Sequence, residues 1–309
     1  MLKKLSVCAM LLALVLPVFP AASRAADAPA AKHYDTETAQ QTSMNDVRAF
    51  VCSWFAMSDR LAAPEEYLPM LADDVVMSFP GVKINSKEDF ISWRKSMSGD
   101  ITLNMHRLGM IEVVRMNSAQ WLAQTDIDWL ATAADGKPVR QAIHQRWIVE
   151  ERGGKLVLVR REATVAKAEP ETDWNKNLPD LKYGTANDVR TMVYSWFAGF
   201  DRQKPEDYFT AYLPDDVRMH FPDFPVQGKS DFLRWYKGVR DTISWNTHEL
   251  EYLDVTPAEN GRWKVSLSVR WLARAYDGTI YDTTVHQNWL VGRSAQGAWQ
   301  LLEHDASAI

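Results

Sequence analysis

The 309-residue chain is predicted to fold as an α+β protein in two tandem copies, and three observations lead there. First, four blocks recur. NDVRAFVCSWFA at 45–56 returns as NDVRTMVYSWFA at 187–198, and DDVVMSFP at 73–80 returns as DDVRMHFP at 215–222. WLATAADG at 129–136 returns as WLARAYDG at 271–278, and HQRWIV at 144–149 as HQNWLV at 286–291, all with a shift of 142 residues. A period that long is a duplicated domain, not a solenoid repeat. Second, each copy places helical periodicity first and strand-like alternation afterwards, the segregation that defines α+β. Third, 46% apolar and 24% charged residues describe a globular chain with a core to bury, which excludes a disordered chain, a collagen and a disulfide scaffold. A net charge of -5 gives no bulk electrostatic case for a nucleic-acid partner.

Organisation along the chain follows. Lys3 and Lys4 precede an apolar run from Leu5 to Phe19, and Ser23-Arg24-Ala25 supplies small residues at a cleavage site. Residues 1–25 therefore read as a secretory signal, and the run is shorter than the ~20 residues a membrane span needs. The expected location is periplasmic or secreted, with no membrane span. Cys8 leaves with the signal, so Cys52 alone remains and no intrachain disulfide can form. Residues 26–42 read as a disordered leader, 43–165 as domain 1, 166–184 as a polar linker with two prolines, and 185–309 as domain 2.

Each domain opens with a helix. Ser43 and Thr185 are N-cap candidates with Asp46 and Asp188 three residues on. Val47, Phe50, Val51, Trp54 and Phe55 follow helical spacing, as do Val189, Met192, Val193, Trp196 and Phe197. Pro64 and Pro205 start a second short helix at its first turn. A strand follows (Val75–Phe79, Val217–Phe221), then a helix around Phe90–Trp93 or Phe232–Trp235, then four strand-like runs. Asp135-Gly136 and Asp277-Gly278 mark a hairpin between the middle two. Among the thirteen Trp, 54/196, 93/235, 129/271 and 147/289 are equivalent pairs. The set at 121, 129, 263 and 271 fits either core packing or a ligand cage.

Candidate site residues come in two sets. Asp59 lies one turn after Phe55 and Asp201 one turn after Phe197, so both extend the apolar stripe. A carboxylate there is costly unless paired or used; a solvated helix end at Asp59-Arg60 is the plainer alternative. His248 shares a strand face with Leu250 and Tyr252, and His106 with Leu108 and Met110. His144 and His286 sit in the late strand with ambiguous parity, because Trp147 and Trp289 lie on the opposite face. Asp126 and Asp128 face away from Ile127 and are replaced by Ser268 and Arg270 in the second copy, which reads as surface. Cys52 within the first helix reads as packing. There is no Gly-rich phosphate loop, no Ser or Cys nucleophile motif and no tight metal spacing, so neither cofactor nor metal is expected.

The helix ending SWFAMSD or SWFAGFD, the D-D-V-x-M-x-F-P strand, the His opening a long strand and the late H-Q-x-W strand together resemble the SnoaL-like branch of the nuclear transport factor 2-like superfamily. The resemblance covers nearly all of both domains. It implies two cone-shaped domains, each a curved antiparallel sheet wrapped around about three helices. It also implies a binding site for a small, mostly apolar or aromatic molecule. Superfamily members include polyketide cyclases, scytalone dehydratase, ketosteroid isomerase, limonene epoxide hydrolase and non-catalytic binders. Asp59 and His106, and in domain 2 Asp201 and His248, fall where scytalone dehydratase-like enzymes carry a catalytic Asp and His. His144 and His286 fall on a position that faces the pocket there. The further His of those enzymes has no match, since Ala131 or its neighbours occupy the place. Family members commonly dimerise through the outer sheet face. The two domains are therefore expected as an internal pseudo-dimer, with Trp147 and Trp289 near that contact and further self-association open. Two functions fit: a non-catalytic binder of a small molecule, or a cofactor-independent acid–base enzyme of cyclase, isomerase or dehydratase type using an Asp-His pair.

Overall fold

The computed structural model describes residues 42–97, 99–167, 184–221 and 224–308. The export signal, the leader and nearly all of the expected linker lie outside the described residues. The described chain divides into two compact units, 42–198 and 199–308. The first unit contains α1 (Met44–Asp59), a 3-10 helix at Pro64–Met70, β1 (Leu71–Phe79), β2 (Val82–Ile84), α2 (Lys87–Met97), β3 (Ile101–Leu108), β4 (Glu112–Arg115), β5 (Gln120–Ala133), β6 (Pro138–Arg152) and β7 (Lys155–Lys167). Most of α3 (Ala186–Asp201) belongs to it as well, because the division falls at Ala198/Gly199 and not at 185, where the sequence repeat begins. The second unit contains α4 (Glu206–Thr210), β8 (Arg218–Phe221), β9 (Phe224–Val226), α5 (Lys229–Thr242), β10 (Ile243–Pro257), β11 (Trp263–Ala275), β12 (Ile280–Arg293) and β13 (Trp299–Ala308).

Both long helices start on reciprocal caps. The Ser43 hydroxyl accepts from the Asn45 and Asp46 amides while Asp46 accepts from the Ser43 amide. Thr185 and Asp188 repeat the exchange. Each such cap contributes about 1 kcal/mol and fixes where the helix begins, and hence which residue its last turn delivers.

The strand order is β2-β1-β7-β6-β5-β3 in the first sheet, with β4 also on β5, and β9-β8-β13-β12-β11-β10 in the second. The order is the same, with β10 spanning as one strand what β3 and β4 cover in two. The expected antiparallel sheet is corrected to a mixed one. Hairpins make β5, β6 and β7 antiparallel, but β1 runs parallel to β7, and β8 parallel to β13. The first strand of each sheet reaches the free edge of the last one after helices have intervened, and it arrives running the same way.

Packing fixes which sheet face is inside. In the first unit Trp54 and Phe55 of α1 each meet Trp147 of β6 at 5.6 Å between ring centroids. Trp147 and Trp121 are fully buried, as is Trp263 in the second unit. Trp147 and Trp289 are thus core residues of their own units, not residues of an outer sheet face. They share parity with Gln145 and Gln287, which also point inward. Cys52 is buried, and burial pushes its thiol up to about 12, which keeps it an inert packing group. Among the described residues no helix is long and apolar enough to cross a membrane.

Candidate active site

The last turn of α1 delivers Asp59, only 3% exposed, against β3. Its Oδ1 accepts the backbone amide of His106 at 3.0 Å and the ring Nδ1 of His106 at 2.7 Å. Its Oδ2 accepts from the Asn187 side-chain amide at 2.8 Å, and the same amide donates to the His106 carbonyl at 2.8 Å. Burial pushes the Asp59 carboxyl above the usual carboxylate range, and the hydrogen bonds from His106 and Asn187 oppose that push. With Nδ1 donated to Asp59, the imidazole is held in one tautomer. Its Nε2 has no protein partner among the described residues, and the ring lines a cavity of about 820 Å³.

Aromatic rings and a few polar groups form the rest of that wall. Arg94 donates to the Tyr67 hydroxyl at 3.0 Å, which lies 3.1 Å from the Ser58 hydroxyl. Asn104 donates to the Ser58 carbonyl at 2.8 Å and accepts from the Trp129 indole at 2.6 Å. Arg161 on β7 is 7% exposed and donates from Nε to Gln145 at 2.9 Å. Its guanidinium carbon lies 4.3 Å from the centroid of the Trp147 ring. Burial pulls Arg161 down to about 9, so it is still cationic at neutral pH.

In the second unit Asp201 and His248 repeat the pairing. Asp201 Oδ1 accepts from the His248 amide at 2.9 Å and from its Nδ1 at 2.8 Å. The surroundings differ. Phe200 stands where the first copy has Ser58, Phe209 where it has Tyr67, and Tyr236 where it has Arg94. The Phe200 ring packs on Phe209 at 4.7 Å, Tyr236 at 5.1 Å and His248 at 5.7 Å. Space that is cavity beside His106 is thus filled with aromatic carbon beside His248. His304 takes the place of Arg161: it pairs in the ladder with Met219 as Arg161 does with Met77, and it lies 3.1 Å from Gln287 Oε1 as Arg161 does from Gln145. Burial pulls His304 down to about 4.

The structure does not bring His144 or His286 to either dyad, and this corrects the expected six-residue set. Ile143 and Gln145 line the cavity, so by strand alternation His144 is on the other face. There its Nδ1 lies 2.8 Å from Asp126, and both side chains are well exposed. His286 is likewise exposed while its neighbour Gln287 faces in. Sequence reasoning had not singled out Ser58, Tyr67, Arg94, Arg161 or Asn187. The first three differ in kind from their second-copy equivalents, and that contrast between the repeats was the available signal.

No family model matches the chain, and no curated protein matches it. Solved structures similar to it are scytalone dehydratase-like, LinA and nuclear transport factor 2-like proteins. A protein of Novosphingobium aromaticivorans named "Putative Scytalone Dehydratase" is 12% identical with a TM-score of 0.40, covering 45% of this chain and 93% of its own. A hexachlorocyclohexane dehydrochlorinase (LinA) type 2 is 10% identical with a TM-score of 0.40, covering 44% and 93%. A nuclear transport factor 2-like protein of Salmonella enterica is 14% identical with a TM-score of 0.37, covering 40% and 89%.

Proposed function

We propose that the first unit takes a small, largely apolar or aromatic molecule into its cavity, and that His106, held by Asp59, moves a proton on it without a cofactor. The observation that carries this reading is the division of labour on one imidazole. Nδ1 is bound to a buried carboxylate, while the ring lines the cavity with Nε2 unpartnered among the described residues. Such a pair removes a proton next to a carbonyl or returns one to a leaving oxygen, the chemistry shared by isomerases, cyclases and dehydratases. Filling of the second copy by Phe200 supports assigning the reaction to the first copy alone, with Asp201–His248 kept as a structural link between helix and sheet. The signal-like sequence of residues 1–25 supports export, and with it an activity outside the cytoplasm.

The test is deuterium incorporation at the acidic α-carbon of 2-tetralone in D2O, followed by NMR. The full chain is expected to accelerate exchange, H106Q to lose about 100-fold or more, and H248Q to match wild type. Equal rates for wild type and H106Q would remove the catalytic part and leave a binding cavity. A loss in H248Q equal to that in H106Q would overturn the assignment to one copy.

A further inference from the structure

The cavity contains a cation without an anion. Its lining includes Arg94, Lys95, Arg161 and His106, and no Asp or Glu. Lys95 is paired with Glu65 at 2.8 Å, and Arg94 is spent on the Tyr67 hydroxyl and the Ala62 carbonyl. Arg161 differs from both. It is over nine-tenths buried, and among the described residues its only hydrogen-bond partner is Gln145, a neutral amide that takes Nε. The four hydrogens on its two Nη atoms have no protein acceptor among the described residues. Aromatic rings surround it: the Trp147, Phe79, Trp54 and Phe55 ring centroids lie 4.3, 5.1, 5.3 and 5.4 Å from the guanidinium carbon. The rings crowd the guanidinium carbon, and the hydrogens of its two Nη atoms are what is left to bond.

A buried guanidinium costs free energy unless an acceptor of opposite charge meets it. We propose that this acceptor is the ligand, and that Arg161 binds the carboxylate of a small aromatic acid in the cavity of the first unit. A planar carboxylate matches the planar fork with two parallel hydrogen bonds. The rings around the cavity suit the aromatic body attached to it. The second copy provides an internal control. Where Phe200 packs against the dyad histidine, the equivalent of Arg161 is His304, so the fixed cation is absent from the copy whose dyad faces aromatic carbon. The inference rests on the cavity reading above and adds to it the charge of the ligand and the residue that reads that charge.

The experiment compares 2-naphthoate with its neutral isostere 2-naphthamide, by titration calorimetry on the full chain at pH 7. Wild type is expected to favour naphthoate by about 10- to 100-fold, the range of one buried charge-assisted pair. R161Q is expected to erase that preference while naphthamide binding persists, R161K to keep part of it, and S58F to lose both ligands. If R161Q does not fold, the wild-type preference and its partial retention in R161K still decide the matter. Equal affinity of wild type for the two ligands, or a preference that survives in R161Q, would overturn the role of Arg161 and leave the cavity reading standing. Failure of both ligands to bind wild type at any soluble concentration would overturn both.

Discussion

Asn187 and Asp59 are joined side chain to side chain, and the same Asn187 amide also holds the carbonyl of His106, so a single group ties the dyad's carboxylate to the backbone of its histidine. Removing it leaves a buried carboxylate oxygen without its donor, at a cost of about 1–3 kcal/mol. N187A should therefore lower tetralone exchange while leaving naphthamide affinity nearly unchanged, because Asn187 does not line the cavity. N187Q, with an amide on a longer arm, should recover part of the rate. A rate unchanged in N187A would show that the carboxylate needs no third donor.

Exchanging the occupants of one position should close the first copy and hollow the second. S58F copies Phe200 into the first cavity and should abolish ligand binding with a melting temperature near that of wild type. F200S empties buried aromatic volume in the second unit and should destabilise the protein by about 3 kcal/mol or more. Differential scanning calorimetry together with the naphthamide titration reads both outcomes. Normal binding in S58F would show that the cavity beside His106 is not where the ligand sits.

His304 sets an acid limit on stability. Its folded value lies near 4, below the ordinary 6.5, because burial disfavours the charged ring, and its Nδ1 is buried without a partner. The unfolded chain therefore binds a proton more readily than the folded one between those values. The stabilisation is complete above pH 6.5, is lost as the pH falls towards 4, and is flat below that. At the limit the loss is about 3 kcal/mol. Urea unfolding at pH 7.5 and pH 4 should show a larger acid loss for wild type than for H304Q, which cannot titrate. Parallel losses in the two proteins would assign the acid sensitivity elsewhere.

Export is checked at the chain terminus. Protein recovered from the native cell should begin near Ala26 on N-terminal sequencing. Intact Met1 in a cytoplasmic fraction would refute the signal-peptide reading.

Periodicity favoured an inward face for each member of the dyads, and that helix end and strand meet was implied by the family resemblance. Asp59 and Asp201 extend a helical stripe, and His106 and His248 start an alternating strand, with each assignment readable twice. Arg161 was not legible, for a reason that lies in the backbone. Along β7, Leu158 faces Val149 and Arg160 faces Ile148, so the bulge at Val159 reverses the alternation. Arg160-Arg161 then looks like a surface pair although Arg161 points in. The final hairpin of the second copy is also one residue longer, so the shift of 142 that aligns the other blocks fails there and hides the match to His304. His144 was misjudged on the remaining ambiguity: Trp on one face and His on the other leave parity undecided until α1 is seen packed on Trp147. The parallel strand pair is a long-range choice that no local pattern encodes.

That pairing has a temporal consequence. Met77 on β1 is in register with Arg161 on β7, so an early strand finds its main partner only after nearly the whole unit has been made. Contacts so distant along the chain close slowly. For a polypeptide that emerges amino end first, β1 has only β2 to pair with until the last strand arrives. The strand that seals the sheet is also the one that carries the guanidinium, so Arg161 follows Asp59, His106 and the ring wall in chain order, and only Asn187 comes later. Completion of the sheet and competence to bind an anion would then be one event.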